Sequence, residues 1–243
     1  MSDRRLTVLG CDGGFPGPNG AGSGYLVQAG GTTVLVDAGP GTFANLQRLG
    51  DPGRIDGVIL SHEHPDHWSD LESFAVWLLQ PGGGKRVDVH APPGLRRRSY
   101  FAESPVLGWH EIGPASVLVI GSLTLHFSTT DHGPPTLAVR LDALDGDAAL
   151  AYSADSGPDW SLDDLGPGIG TFLCEATYLA GMEGTNRHLS GRQAGVLAAA
   201  GGVGRLIVTH RSPTVSADAL VAEAEASFGR TVDQAVIGRV FEW

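Results

Sequence analysis

The chain has little with which to staple itself. Two cysteines, Cys11 and Cys174, occur in 243 residues, too few for a disulfide scaffold and in keeping with reduced thiols in a cytosolic chain. No apolar run approaches the roughly 20 residues needed to cross a bilayer. The amino terminus, Met1-Ser2-Asp3-Arg4-Arg5, leads straight into a short apolar strand pattern, without the apolar stretch or small-residue cleavage site of a secretory signal. We expect a cytoplasmic protein that does not associate with membranes. Basic charge is scarce too. Lys85 is the single lysine, and 16 Lys+Arg stand against 27 Asp+Glu for a formal charge of −11. That balance disfavours general nucleic-acid binding, while a local metal or arginine group can still draw in a small anionic substrate. Fixed-period repeats and low-complexity linkers are missing as well. At this length, with 42% hydrophobic residues, the chain can bury a core unaided, and we read 1–243 as one domain.

What is present is a procession of short apolar strands that end in polar loops. Periodicity places strands over 6–10, 24–29, 33–37, 57–61, 87–90, 117–120, 123–129, 137–141, 149–153, 172–174, 206–209 and 235–241. Helices are expected over 42–49, 70–80, 95–101, 191–200 and 216–228. Ser69/Glu72 and Ser190/Gln193 have capping-box spacing, and Gly229 supplies a stop. Strand runs followed by helices, twice over, predict an αββα sandwich: two sheets back to back with helices outside.

The densest chemistry lies in Ser61-His62-Glu63-His64-Pro65-Asp66-His67, directly after an apolar strand. Alternating positions of a short loop can converge, so His62 and His64 can hold one ion while Asp66 and His67 face a second. Zn²⁺ favours this mixture of nitrogen and oxygen ligands. A solvated polar loop would seldom carry so many ligand-type side chains at this spacing. One loop cannot saturate two ions, and His132, Asp155 and His210 each follow a predicted strand. Asp155 suits a bridge, because two adjacent cations repel unless an anion lies between them.

These residues make the chain similar to the metallo-β-lactamase superfamily, whose hallmark is a His-x-His-x-Asp-His loop followed by later His, Asp and His ligands. The similarity spans nearly the whole chain. It implies two mixed sheets flanked by helices, with two divalent ions: Zn²⁺, or Mn²⁺ or Fe²⁺ in its place. By the same resemblance His62, His64 and His132 bind one ion, Asp66, His67 and His210 bind the other, and Asp155 bridges. Asp37, in Leu35-Val36-Asp37-Ala38-Gly39, is implied to orient the histidine loop.

Aspartate at 155, where β-lactam hydrolases commonly carry cysteine, makes antibiotic hydrolysis a poor reading. Cys174-Glu175-Ala176-Thr177-Tyr178 and Arg187-His188-Leu189-Ser190 instead resemble the ribonuclease Z-like phosphodiesterase branch. That resemblance implies catalytic roles for Asp66, Glu175 and His188, with an ion-activated water as nucleophile and His188 protonating the departing oxygen. It also implies a homodimer. The amino end of the helix beyond Ser190, with Arg187, Arg192 and Arg211, offers candidate donors to a phosphate. A tRNA-processing role is disfavoured, because nothing between Ser104 and Leu189 is both long and basic. The acidic, compact chain looks more like small actinobacterial cyclic-nucleotide phosphodiesterases of the atypical class II. Hydrolysis of a lactone or thioester is the alternative reaction, and a non-catalytic metal-binding module the alternative class. Gly20-Ala21-Gly22-Ser23-Gly24 precedes a strand and is expected to be a flexible loop near the metal edge. His90, His110 and His126 are expected to be structural, and Arg96-Arg97-Arg98 a solvated face.

Overall fold

The computed structural model describes residues 4–144 and 148–243; Met1-Ser2-Asp3 of the amino-terminal reading lies outside them. Its first half opens with strands β1 (Arg5–Gly10), β2 (Gly24–Ala29) and β3 (Thr32–Val36), then helix α1 (Thr42–Leu49) and strand β4 (Gly57–Ile59). Helices α2 (Pro65–Trp68) and α3 (Leu71–Leu78) precede strands β5 (Val87–Ala91) and β6 (Leu107–Glu111). The second half runs β7 (Val117–Ile120), β8 (Leu123–Thr129), β9 (Leu137–Ala143), β10 (Ala149–Tyr152) and β11 (Ile169–Glu175). It closes with α4 (Gly191–Ala200), β12 (Arg205–Thr209), α5 (Ala217–Phe228), β13 (Asp233–Gln234) and β14 (Val240–Glu242).

These strands make two seven-stranded sheets, in the orders β14-β1-β2-β3-β4-β5-β6 and β13-β12-β11-β10-β9-β8-β7. Each is antiparallel on one side and parallel on the other. Pairs from β14 to β3 are antiparallel and from β3 to β6 parallel; pairs from β7 to β10 are antiparallel and from β10 to β13 parallel. The αββα sandwich is therefore as expected.

Both faces of the central strands are covered, so their sequences read as nearly continuous apolar runs. Along β2, Tyr25 and Val27 face the other sheet with Val139, Leu150 and Ile207, while Leu26 lies under Leu46 of α1 and Phe74 of α3. Along β12, Ile207 enters the inter-sheet core, whereas Leu206 and Val208 pack beneath α4 and α5 with Ala194, Ala198 and Leu220. Burying each such side chain contributes about 1.5–3 kcal/mol before the entropic cost of ordering it. Among the described residues no helix is long and apolar enough to cross a membrane.

Local departures from the sequence expectations have physical causes. Residues 95–101 do not form a helix. Arg96–Arg98 make a single 3₁₀ turn after a Pro-Pro-Gly turn, with Arg96 tied to Ala102 O and Glu103 and Arg98 forked on Glu63. Ser69 does not cap α3; it closes α2 through its N–H to Pro65 O, and Asp70 Oδ2 accepts the Phe43 N–H at the start of α1. The expected strand over 235–241 is not one strand: β13 ends before it at Gln234, β14 begins only at Val240 in the other sheet, and the chain crosses between them at Gly238, where φ is 86°. Strand β6, Leu-Gly-Trp-His-Glu, lies outside the expected strands because its sequence lacks a sustained apolar alternation.

The glycine loop before β2 does lie at the metal edge, but it is packed rather than flexible. Ala21, Gly22, Ser23 and Gly24 are buried, and Ser23 N–H donates to Asp66 O while Gly39 N–H donates to Ser23 O. A Cβ at Gly39 would stand 1.9 Å from Asp66 O, and one at Gly22 2.5 Å from it. Two glycines thus admit the helix that carries Asp66 and His67. Gly39→Ala is expected to destabilise by about 1–3 kcal/mol, the usual cost of overpacking, and to lower metal uptake. Gly113→Ala, where a Cβ meets nothing within 4 Å, should be near neutral. Denaturant midpoints of the two variants check the contrast.

Candidate metal centre

The functional side chains emerge at the carboxyl-terminal ends of strands, where α/β sheets place ligand sites. Asp37 follows β3, His62 and His64 follow β4, and Asp66 and His67 ride on α2, whose first residue is Pro65. Pro at the first helical position costs no hydrogen bond and presets the turn. His132, Asp155 and His210 follow β8, β10 and β12. Six of the nine histidines meet at this edge. Backbone strain collects there as well. Of the four non-glycine residues with positive φ among those described, three are Asp37 (57°), Ala154 (52°) and His210 (55°). Such conformations cost about 1–3 kcal/mol each, and here they aim one ligand, the neighbour of another, and the carboxylate behind a third.

Two donor clusters result. His62, His64, His132 and Asp155 form one, and Asp66, His67 and His210 the other, each with its donor atoms within 4.8 Å of one another. In the first, His64 Nδ1 lies 3.0 Å from His62 Nε2 and 3.1 Å from His132 Nε2, with Asp155 Oδ2 at 3.6 and 3.7 Å from the latter two. In the second, His210 Nε2 lies 3.2 Å from both His67 Nε2 and Asp66 Oδ2. The other oxygen of Asp155, Oδ1, sits 3.2 Å from His67 Nε2 and 3.3 Å from His210 Nε2. One carboxylate therefore offers an oxygen to each cluster.

The donor set fits divalent cations. His67 Nδ1 faces Asp37 Oδ2 at 2.8 Å and must donate to it. His132 Nδ1 donates to Arg187 O. Ser61 Oγ gives its proton to Asp37 Oδ2 and Thr177 Oγ1 gives its own to Glu175 Oε2, so each accepts from a ring: His62 Nδ1 and His210 Nδ1. Four rings are thereby fixed with Nδ1 as the donor and Nε2 turned inward, the atom that would give its lone pair to a cation. Lone pairs at these distances repel one another without a cation. Ligands bound at about 2.0–2.1 Å in a tetrahedral shell sit roughly 3.3 Å apart, which matches the spacing. Asp155 Oδ1 is buried and receives no hydrogen bond.

Charge tells the same story. Burial pushes the His62 and His132 pKa values down, keeping neutral imidazole lone pairs available. Burial acts the same way on His67, yet the carboxylates of Asp155 and Asp37 outweigh it and hold that ring's pKa well above the ordinary value. Burial would raise Asp66 and Asp155, but the surrounding imidazoles pull both well below the usual carboxylate range. The second cluster demands positive charge.

Beside the clusters stands a dyad. Glu175 is buried, and its Oε1 accepts from Ser156 N–H and from His188 Nδ1 at 2.8 Å. Its Oε2 accepts from the Thr177 N–H and hydroxyl. His188 Nδ1 also lies 4.0 Å from Asp155 Oδ2, and its ring stacks on His210 at 5.5 Å. Burial would lower the His188 pKa, but the charge and hydrogen bond of Glu175 raise it to about 9. Asp155, Glu175, His188 and His210 also gather closely enough for an ion. With four donors on Glu175 and the His188 nitrogen among them, that group is an ion pair rather than a third ligand shell.

The candidate phosphate donors fare differently. Ser190 caps α4 and donates to Glu183; Arg192 forks on Glu183; Arg211 donates to the carbonyls of Ser212 and Val215. All three are engaged within the protein. Arg187 remains exposed, its carbonyl against His132 and its guanidinium 3.8 Å from Asp131. Among the described residues His90, His110 and His126 join no metal cluster; His90 and His110 stack at 5.0 Å across β5 and β6. Both cysteines are free thiols. Sequence reasoning missed Thr177, whose hydroxyl joins Glu175 to His210, and Tyr152, whose hydroxyl reaches Asp37. Neither carries a chemistry-bearing signal beyond one hydroxyl.

The beta-lactamase superfamily domain profile matches residues 32–211. An uncharacterized protein of Mycobacterium tuberculosis is 35% identical over 254 residues, covering 98% of this chain and 92% of that protein. The probable metallo-hydrolase YhfI of Bacillus subtilis is 30% identical over 248 residues, covering 98% of this chain and 99% of YhfI. The YhfI crystal structure superposes with a TM-score of 0.90, covering 100% of both chains. Ribonuclease Z of Mycobacterium marinum is 28% identical over 267 residues, with 94% of each chain covered.

Purified protein loaded with Zn²⁺ should hold close to two equivalents by elemental analysis. His132→Ala should lose about one. Asp155→Ala should weaken both, and two full equivalents in that variant would refute the shared carboxylate.

Proposed function

As a member of the beta-lactamase superfamily, to which it belongs, this chain is a metallo-hydrolase, and we propose that its substrate is a small phosphodiester, with a cyclic nucleotide as the leading case. The observation that carries this reading is the Glu175–His188 dyad, 2.8 Å across and set beside the shared Asp155. A thioester, with its good leaving group, needs no such proton donor, whereas expulsion of a ribose alkoxide does; a lactone also expels an alkoxide and is separated by turnover below. The relatives named ribonuclease Z support the same class.

In this assignment His62, His64 and His132 hold one divalent ion, Asp66, His67 and His210 hold a second, and Asp155 joins both. When bound, the pair supplies Lewis-acid chemistry: activation of a water and neutralisation of phosphoryl charge. Asp66 lies at the second cluster, where it also accepts the Gly14 N–H, and its low pKa keeps it an anionic ligand. His188 carries its proton at neutral pH because Glu175 holds it there. Hydrolysis breaks the bond from phosphorus to the leaving oxygen as the water oxygen bonds to phosphorus. The His188 proton passes to the departing oxygen, and the water's proton restores the imidazolium. Glu175 keeps the ring turned toward the centre and stabilises its charge.

Parallel turnover of cyclic AMP, bis(p-nitrophenyl) phosphate, a thioester, a lactone and nitrocefin by Zn²⁺-loaded protein tests the class. Turnover of carbonyl substrates alone would replace the reading with the lactone or thioester hydrolase. No turnover of any, with two ions bound, would favour a non-catalytic metal-binding module. His188→Ala should retain its metal and lose on the order of 10²–10⁴-fold in kcat on cyclic AMP. The loss should be smaller on bis(p-nitrophenyl) phosphate, whose leaving group needs little protonation. Equal losses on both would make His188 a phosphate-orienting residue.

A further inference from the structure

The second cluster is assembled from two sheets. Asp66 and His67 follow strands of one sheet, whereas His210 and Asp155 follow strands of the other. Behind them two tyrosines cross the inter-sheet core in opposite directions. Tyr152, on β10 of the second sheet, donates its hydroxyl to Asp37 Oδ2 at 2.9 Å, and Asp37 belongs to the first. Tyr25, on β2 of the first sheet, pairs its hydroxyl with Thr209 Oγ1 of the second at 2.6 Å. Their rings lie 5.1 Å apart, and both are almost completely buried.

Each tie ends one step from a ligand. Asp37 Oδ2 also accepts from His67 Nδ1 and Ser61 Oγ, and Oδ1 accepts from Ser61 N–H. Thr209 immediately precedes His210, whose backbone is in the left-handed region. Tyr152 stands three residues before Asp155 on the same chain. A buried phenol in an otherwise apolar core is costly unless its hydroxyl is bonded, and phenylalanine would fill the same space. The two hydroxyls are therefore placed for what they hold.

We infer that Tyr152 and Tyr25 are positioning residues for the second ion, tying the sheets together so that His67 and His210 converge. Tyr152 acts through Asp37 on the His67 ring. Tyr25 acts through Thr209 on the backbone that aims His210. The first cluster also joins the two sheets, but His62 reaches Asp37 only through Ser61 Oγ, one bond further than His67, and His64 and His132 make no bond to Asp37 or Thr209, so that cluster feels the tie less.

The test is a Zn²⁺ titration of metal-free protein against a chelating indicator, resolved into two binding steps. Asp66→Asn identifies which step is the second site. Tyr152→Phe should weaken that step by about 10–100-fold, the usual effect of removing an outer hydrogen-bond partner, and leave the other within about threefold. Tyr25→Phe should weaken the same step by a smaller factor. Denaturation midpoints and near-ultraviolet circular dichroism confirm that each variant retains the fold. Unchanged affinity of the second step in both folded variants overturns the inference, as does a loss confined to the first step. The inference rests on the two-ion reading, and Asp66→Asn separates the failures. If Asp66→Asn also leaves both steps intact, the second site and this inference fall together.

Discussion

Lone pairs and carboxylates that belong to different sheets have to meet within coordination distance, and almost everything else in the molecule answers to that demand. Asp155 gives one oxygen to each donor cluster, so the β10 edge must stand directly opposite the β4 edge. That fixes the rotation of one sheet over the other. The apolar residues between the sheets supply the adhesion but are non-directional. Direction comes from the polar ties behind the metals, and from the strained backbones of Asp37, Ala154 and His210 that turn side chains out of the strand ends.

The outer packing serves the same end. Gly22 and Gly39 let the short helix with Asp66 and His67 sit against the sheet. Asp70, one turn further on, caps α1 rather than its own helix. The ligand-bearing helix is thus fastened to its neighbours by backbone contacts that leave no room for a methyl group, and its side chains inherit that rigidity.

Much of this was legible in the residues. The loop from His62 to His67 announces itself because five ligand-type side chains crowd one strand end, and His132, Asp155 and His210 follow from looking at other strand ends. The αββα layering follows from two blocks of strands and helices. What stayed hidden depends on three-dimensional neighbours. Tyr152, Tyr25 and Thr177 look like ordinary strand and loop residues until a partner is seen across the fold. Ser69 has the spacing of a cap but is taken by the preceding turn. Arg211 follows the ligand His210 and Arg192 lies four residues past His188, yet Glu183 and the carbonyls before α5 draw their guanidinium groups away. The crossover at Gly238 separates β13 from β14 and leaves the apolar residues 235–237 between two sheets, which periodicity alone does not reveal.

The engagement of those arginines has an electrostatic consequence. With Arg192 paired to Glu183, Arg211 held by backbone carbonyls and Arg98 matched to Glu63, the rim of the site offers few free positive charges, while Asp66, Asp155 and Glu175 make its floor anionic. A phosphate approaching the metal-free edge meets a repulsive field, on a protein whose net charge is already −11. Two divalent ions held by the donor clusters would invert the sign of that field locally. For the anionic substrate proposed above, attraction would then come from the metals themselves, and that implies an order of assembly: ions first, substrate second.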